Sequence, residues 1–369
     1  MTRFWCEPVN TYVLSGLRLS TIEIRLPVRV ERAGIHRNVA EVQTSVRVST
    51  KLSVEVSTPA MNRKIRIWFP HLAIAVCLLV VLTTSALSQT AEPSPAASPQ
   101  NTDPTVHARL NLPEAKNPAL PTLFLVGDST VRNGRGDGAN GQWGWGEPLV
   151  DYFDPTKINV VNRAIGGRSS RTYMTEGHWQ EVLDRLKPGD FILIQFGHND
   201  SGPLDDTSRA RGTLPGTSDE TREIENPILK RHETVHTYGW YMRQYVEQAR
   251  QKGATIIVCS LIPRKIWKDG HVVRSGGDGY GGWAREIAQQ EHVPFIDLNE
   301  IIGGEYDAMG EQAVEPLFGD PHTHTSLKGA RINAEAVVTG LKLLHPDPLQ
   351  SYFSADAAAV SATMPPAKP

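Results

Sequence analysis

Five short apolar runs mark the middle of the chain, and most are cut off by glycine. Residues 122–126 read Thr-Leu-Phe-Leu-Val and stop at Gly127, and 158–162 stop at the Gly166-Gly167 pair. Residues 191–196 stop at Gly197, while 255–260 and 294–297 complete the set. Runs this short and this apolar predict buried strands. Between them, apolar residues recur at spacings of three and four over 179–186, 234–252, 280–291 and 326–344, which predicts amphipathic helices. Gly253 ends the second of these as a C-cap signal, and Ser326 is suited to cap the start of the last.

Strand alternating with helix predicts an α/β fold, a parallel sheet covered on both faces. In such sheets ligands bind beyond the carboxyl ends of the strands. Attention therefore falls on Gly127-Asp128-Ser129-Thr130, on Gly166-Gly167-Arg168-Ser169-Ser170-Arg171, and on Gly197-His198-Asn199-Asp200.

The ends of the chain read differently. Residues 1–60 carry scattered Arg and Val without a sustained period. Met61-Asn62-Arg63-Lys64-Ile65-Arg66, the apolar stretch 72–82, and Ala86-Leu87-Ser88 follow, which is the order of a secretory signal peptide. Residues 1–60 are then a start-site artefact or a disordered extension, 61–88 the signal peptide, and the mature protein starts near Gln89. The rival reading is a membrane anchor, but Pro70 and His71 interrupt its start. Residues 89–116 have the Pro, Ser, Ala and Thr content of a linker and 349–369 that of a disordered tail, leaving 117–348 as the folded domain. The expected location is secreted or periplasmic, with no stable membrane association after cleavage.

Composition narrows the function. With 38 basic against 40 acidic residues there is no electrostatic case for nucleic acid or an anionic membrane. Three cysteines, Cys6, Cys77 and Cys259, suit neither a zinc site nor a disulfide framework, and Cys259 falls in a strand. Several Trp residues adjoin Gly, as in Trp143-Gly144-Trp145-Gly146 and Gly282-Trp283. Such aromatics serve either a sugar site or ordinary packing.

The strand-end segments offer chemistry. Ser129 follows the first strand, where a turn exposes a hydroxyl, although Gly-Asp-Ser alone is a common turn. No Gly-X-Gly-X-X-Gly or Lys-bearing phosphate loop follows that strand. Near the other end, Asp320-Pro321-His322-Thr323-His324-Thr325-Ser326 puts an Asp close to His on one loop, an orienter and a base. A metal reading of His322 and His324 finds no supporting carboxylate or Cys spacing elsewhere.

Taken in order, Gly127-Asp128-Ser129, Gly167, Gly197-X-Asn199-Asp200, and Asp320 with His324 resemble the blocks of SGNH (GDSL-like) hydrolases. Within that superfamily the chain resembles the rhamnogalacturonan acetylesterases. The shared stretches include Asn162-Arg163-Ala164, Gly167-Arg168-Ser169-Ser170-Arg171-Thr172-Tyr173 and Gln195-Phe196-Gly197-His198-Asn199-Asp200. They continue through Val235-His236-Thr237-Tyr238-Gly239, Ser260-Leu261-Ile262-Pro263-Arg264 and His324-Thr325-Ser326, so the resemblance spans about residues 121–345.

The resemblance implies a three-layer α/β/α sandwich with a five-stranded parallel sheet in flavodoxin-like order. It implies Ser129 as nucleophile, His324 as base, and the Ser129 N–H, the Gly167 N–H and the Asn199 amide as oxyanion donors. The family sets its Asp three residues before the His. Here Pro321 holds that place and Asp320 stands four before His324, so another group or a carbonyl could orient the ring instead. The implied activity is removal of acetyl groups from an acetylated plant cell-wall polysaccharide by a monomer, without metal or organic cofactor. Alternatives are an SGNH esterase acting on xylan or a small ester, and a catalytically silent carbohydrate-binding domain. Long apolar surface segments that would suit a lipase are not evident. Asp128 and Asp200 are expected to brace loops rather than do chemistry.

Overall fold

The computed structural model describes residues 112–365. The start-site and signal-peptide expectations, on residues 1–88, lie outside the described residues, as does most of the linker. Among the described residues there are nine strands: β1 (Thr122–Gly127), β2 (Asn159–Asn162), β3 (Phe191–Gln195), β4 (Thr221–Asn226), β5 (Arg231–His236), β6 (Thr255–Cys259), β7 (Trp267–Lys268), β8 (His271–Val272) and β9 (Phe295–Ile296). The main helices are α1 (Ser170–Thr175), α2 (His178–Leu183), α3 (Tyr238–Gln251), α4 (Tyr280–Gln290), α5 (Leu298–Met309) and α6 (Leu327–Lys342).

Five strands form one parallel sheet in the order β2-β1-β3-β6-β9. Alternate side chains leave a strand on opposite faces, so an uninterrupted apolar run feeds two cores at once. Leu123 and Leu125 of β1, Leu193 of β3 and Ile257 of β6 pack with Ile301, Ile302 and Tyr306 of α5 and Val337, Val338 and Leu341 of α6. Phe124, Val126, Ile192, Ile194 and Val258 pack on the other face with Tyr173, Trp179, Tyr241, Tyr245 and Ile287 of α1 to α4. The result is a three-layer α/β/α sandwich. Each fully buried large apolar side chain contributes about 1.5–3 kcal/mol, which is why these runs dictate the layers. Cys259 is fully buried in β6 as a free thiol.

Departures from the sequence reading have local causes. Residues 234–252 are not one helix: Val235 belongs to β5 of the antiparallel β4–β5 hairpin. The helix starts only at Tyr238, where Thr237 caps it by accepting a hydrogen bond from Trp240 N–H. Helix α5 had not been anticipated because Gly303 and Gly304 interrupt its pattern. A Cβ at Gly303 would strike Arg274 Cζ, so the Arg274 guanidinium sits against the helix at this glycine.

The described fold also passes the bounds of 117 and 348. Leu112 and Ala115 pack on the core, and Glu114 pairs with Arg163 and Arg185. Beyond 348, Leu349 and Ala357 are fully buried, Phe353 bridges to Phe153, and Lys342 Nζ donates to the carbonyls of Ala357 and Val360. The start of the supposed tail is thus docked by apolar burial and by carbonyls that satisfy a lysine. Among the described residues no helix is long and apolar enough to cross a membrane.

Candidate active site

Strand β1 ends where the site begins. A Cβ at Gly127 would lie 2.5 Å from Val131 Cγ2 and 2.6 Å from the Gln195 carbonyl oxygen, so the chain can turn against β3 only with glycine there. The Asp128 carbonyl accepts from Val131 N–H and Arg132 N–H at 3.1 Å each, closing one turn around Ser129. Asp128 Oδ1 accepts from Thr130 N–H (2.8 Å) and Thr130 Oγ1 (2.7 Å), which locks that turn. Beneath it, Gln195 Nε2 donates to Thr130 Oγ1 (2.6 Å) and Trp145 Nε1 donates to Gln195 Oε1 (2.9 Å). This chain of buried bonds ties the serine turn to the centre of the sheet.

His324 Nε2 lies 2.8 Å from Ser129 Oγ, and His324 Nδ1 lies 2.5 Å from Asp320 Oδ2. The other carboxylate oxygen, Oδ1, accepts from the N–H groups of His322 (3.0 Å), Thr323 (2.6 Å) and His324 (3.0 Å). Those bonds curl residues 320–324 around the carboxylate, so an Asp four residues before the His still reaches the ring. Burial alone would raise the Asp320 carboxyl. The His324 ring and the Thr323 and His324 amides outweigh it and hold the group well below the usual carboxylate range. An ionised Asp320 fixes the His324 proton on Nδ1 and leaves Nε2 free to accept the Ser129 proton. His322 points elsewhere, its Nδ1 on Thr323 Oγ1 at 2.6 Å. No cluster of His, Cys, Asp and Glu suited to a metal occurs among the described residues.

The other two blocks close on the same place. Gly167 has φ of +79°, a left-handed backbone that favours glycine. Asn199 is buried, and its Nδ2 donates to the Arg168 carbonyl at 2.9 Å, which orients the amide beside the Gly167 turn. Among the described residues neither Ser129 N–H nor Gly167 N–H donates to a protein acceptor. Asp200 Oδ1 accepts from Ser170 N–H (3.0 Å) and Ser170 Oγ (2.5 Å), binding the third block to the start of α1. Burial, with the Asp128 charge adding to it, pushes the Asp200 carboxyl up to about 7. Burial likewise drives His198 down to about 4, so its imidazole is neutral beside His324 at neutral pH.

A hydroxyl bonded to an imidazole, with a carboxylate behind the ring, is the arrangement of acyl transfer through a serine. The structure brings Ser129, His324, Asp320, Gly167 and Asn199 to the carboxyl ends of β1, β2 and β3. Sequence reasoning passed over Gln195, Thr130 and Trp145. A signal was present, since Gln195 is the polar residue inside an apolar run, and a polar side chain buried in a sheet must find partners. The Trp-Gly pairs divide: Trp145 is a core residue, whereas Trp143 is half-buried beside the base loop, its N–H donating to the Thr325 carbonyl at 2.8 Å.

The model of the GDSL-like lipase/acylhydrolase family matches residues 125–332. A rhamnogalacturonan acetylesterase of Emericella nidulans is 33% identical over 216 residues, 58% of this chain and 82% of the relative. A probable rhamnogalacturonan acetylesterase of Bacillus subtilis is 34% identical over 227 residues, covering 60% of this chain and 93% of the relative. A second Bacillus subtilis protein, the rhamnogalacturonan acetylesterase RhgT, is 29% identical over 237 residues, with 60% and 90% covered. A match that runs from β1 into α6, together with relatives covered over most of their length, makes the chain a member of the GDSL-like lipase/acylhydrolase family and a carboxylic ester hydrolase.

Proposed function

We propose that the protein removes acetyl groups from acetylated rhamnogalacturonan, a pectic polysaccharide, after export from the cell. The observation that carries the chemistry is the continuous line from Asp320 through His324 to Ser129 Oγ. Ser129 Oγ attacks the acetyl carbonyl while His324 Nε2 takes its proton. The Oγ–C bond forms and the carbonyl oxygen gains the charge, which the Ser129 and Gly167 N–H groups and the Asn199 amide stabilise. Collapse breaks the bond to the sugar oxygen, and His324 returns the proton to that oxygen. Water, deprotonated by His324, then repeats the sequence on the acyl-serine and releases acetate. The polysaccharide rests on the named relatives and on the motifs shared with them. Export rests on the signal-like order of residues 61–88.

Acetate release from acetylated rhamnogalacturonan, acetylated xylan and a small acetyl ester by the parent, Ser129→Ala and Asn199→Ala tests the reading. Ser129→Ala should abolish all three activities. Asn199→Ala should lower kcat by about 10²–10³, the usual loss for one oxyanion donor. Full activity in Ser129→Ala would overturn the mechanism, and a preference for xylan would overturn the substrate.

A further inference from the structure

The deep arginines of this fold keep company with glutamates. Arg132 stands 3.6 Å from Glu147, Arg163 is 2.7 Å from Glu181, Arg168 is 2.8 Å from Glu176, and Arg171 is 2.8 Å from Glu233. That pattern is expected, because a cation withdrawn from water needs a counter-charge. Two half-buried arginines at the active site break it. Arg211 Nη1 donates to the Gly167 carbonyl at 3.1 Å, and Arg264 Nη2 donates to the His198 carbonyl at 3.2 Å. Among the described residues neither has a carboxylate at ion-pair distance, and Arg264 Nε is buried without a hydrogen-bond partner.

Their anchor points matter. Gly167 is itself a proposed oxyanion donor, and His198 precedes Asn199, which is another. Arg211 also lies across the turn after Asn199, since a Cβ at Gly202 would sit 3.3 Å from Arg211 Cγ. Burial lowers the Arg211 guanidinium to about 10, with Arg209 adding to the fall and Asp128, Asp200 and Asp206 opposing it from longer range. It stays charged at neutral pH. Asp200 is in turn only partly ionised there. Each guanidinium carries five N–H donors in a planar fork that matches a carboxylate, and most of these remain unspent.

We propose that Arg211 and Arg264 form a carboxylate subsite beside Ser129 that takes the uronate carboxylate of a sugar next to the acetylated position. An acetyl group has only two carbons, so the sugar that bears it must stand against the walls of the site, within reach of groups that line the donors. The subsite gives a physical basis for preferring a uronate-bearing polymer to a neutral one such as xylan. It rests on the acetylesterase reading above.

The test changes the substrate before it changes the protein. Acetate release is compared on an acetylated galacturonate-containing oligosaccharide and on the same oligosaccharide with its carboxylates methyl-esterified, at low salt. The parent should lose about tenfold or more in kcat/KM on esterification, the scale of one charge-assisted hydrogen bond. In Arg211→Gln and Arg264→Gln the ratio between the two substrates should fall towards one. A parent that treats both substrates alike, or variants that keep the parent's ratio, overturns the proposal. A second measurement separates it from the choice of polymer. Free galacturonate should inhibit the parent's hydrolysis of 4-nitrophenyl acetate about tenfold better than galactose does, again as one charge-assisted contact. If that holds while acetylated pectic oligosaccharides are not cleaved, the subsite stands and the polymer reading falls. If pectic acetyl groups are cleaved but galacturonate inhibits no better than galactose, the subsite falls and the polymer reading stands.

Discussion

Replacing Asp320 with Asn keeps the shape of the side chain and exchanges one acceptor oxygen for an NH₂ donor. The structure says which way that amide must turn. Oδ1 serves three backbone N–H groups, at 3.0, 2.6 and 3.0 Å, whereas Oδ2 serves the single ring N–H of His324. The amide oxygen therefore stays with the three N–H groups, and the NH₂ faces His324 Nδ1. Two donors cannot share that contact, so the ring moves its proton to Nε2 and presents N–H to Ser129 Oγ. The imidazole then has no lone pair left for the serine proton. A wrong tautomer of this kind lowers kcat by about 10⁴, or about 5 kcal/mol of transition-state stabilisation. The assay is kcat on a small acetyl ester across pH 5–9, beside thermal unfolding to show that the 320–324 turn survives. A loss under tenfold with an intact fold would refute the orienting role and assign it to another group.

Three further outcomes follow from packing and charge. Gly127→Ala puts a Cβ 2.5 Å from Val131 Cγ2 and 2.6 Å from the Gln195 carbonyl, which cannot retreat without disturbing the β1–β3 ladder. Overpacking of this kind costs about 1–3 kcal/mol, and an unchanged urea midpoint would contradict it. Arg171 is fully buried, pairs with Glu233 and donates to the Leu204 and Gly212 carbonyls. Arg171→Met should destabilise by about 3–5 kcal/mol in chemical denaturation, and adding Glu233→Leu should restore part of that. The Asp200 carboxyl is raised to about 7 in the fold, so the folded state holds a proton that the unfolded chain releases near pH 4. Its stabilising contribution is complete below about pH 4 and is lost as pH rises through about 7. Unfolding midpoints of the parent and Asp200→Asn across pH 4–8 should differ in slope, and parallel curves would sink the point.

Much of this was legible in the residues because the sheet is buried on both sides. Runs such as 122–126 and 191–196 have no competing reading once helices lie between them; parallel connection fixes the hand of the crossovers, and the strand order came from the family resemblance. Three of the four blocks were legible because they lie in the segments that follow β1, β2 and β3, and the fourth because an Asp and a His share the loop just before α6. The β4–β5 hairpin was not, since Thr-Arg-Glu-Ile-Glu-Asn and Arg-His-Glu-Thr-Val-His bury little beyond Ile224, Val235, Glu233 and Asn226. Its anchor is the Arg171–Glu233 pair, 62 positions apart, which no local pattern announces. Asp320 was open for a related reason. Spacing counts residues along the chain, whereas reach depends on how tightly three amides fold the loop around one oxygen.

The serine and the histidine come from opposite ends of the domain, yet their separation is set by one short segment between them in space. Trp145 N–H donates to the Thr130 carbonyl at 3.0 Å and Gly146 N–H to the Val131 carbonyl at 2.9 Å, so this segment lies along the serine turn. Two residues earlier, Trp143 N–H donates to the Thr325 carbonyl at 2.8 Å, and Thr325 Oγ1 returns a bond to the Trp143 carbonyl at 3.0 Å. The same stretch thus holds the nucleophile's turn on one side and the residue after the base on the other. The glycines of Trp-Gly-Trp-Gly follow from this. A Cβ at Gly144 would strike the Val131 carbonyl, and one at Gly146 would lie 2.7 Å from the same oxygen. A motif that suggested a sugar-lining surface is in large part the spacer that keeps Ser129 and His324 at hydrogen-bond distance, with Trp145 fastened beneath it to Gln195 of the central strand.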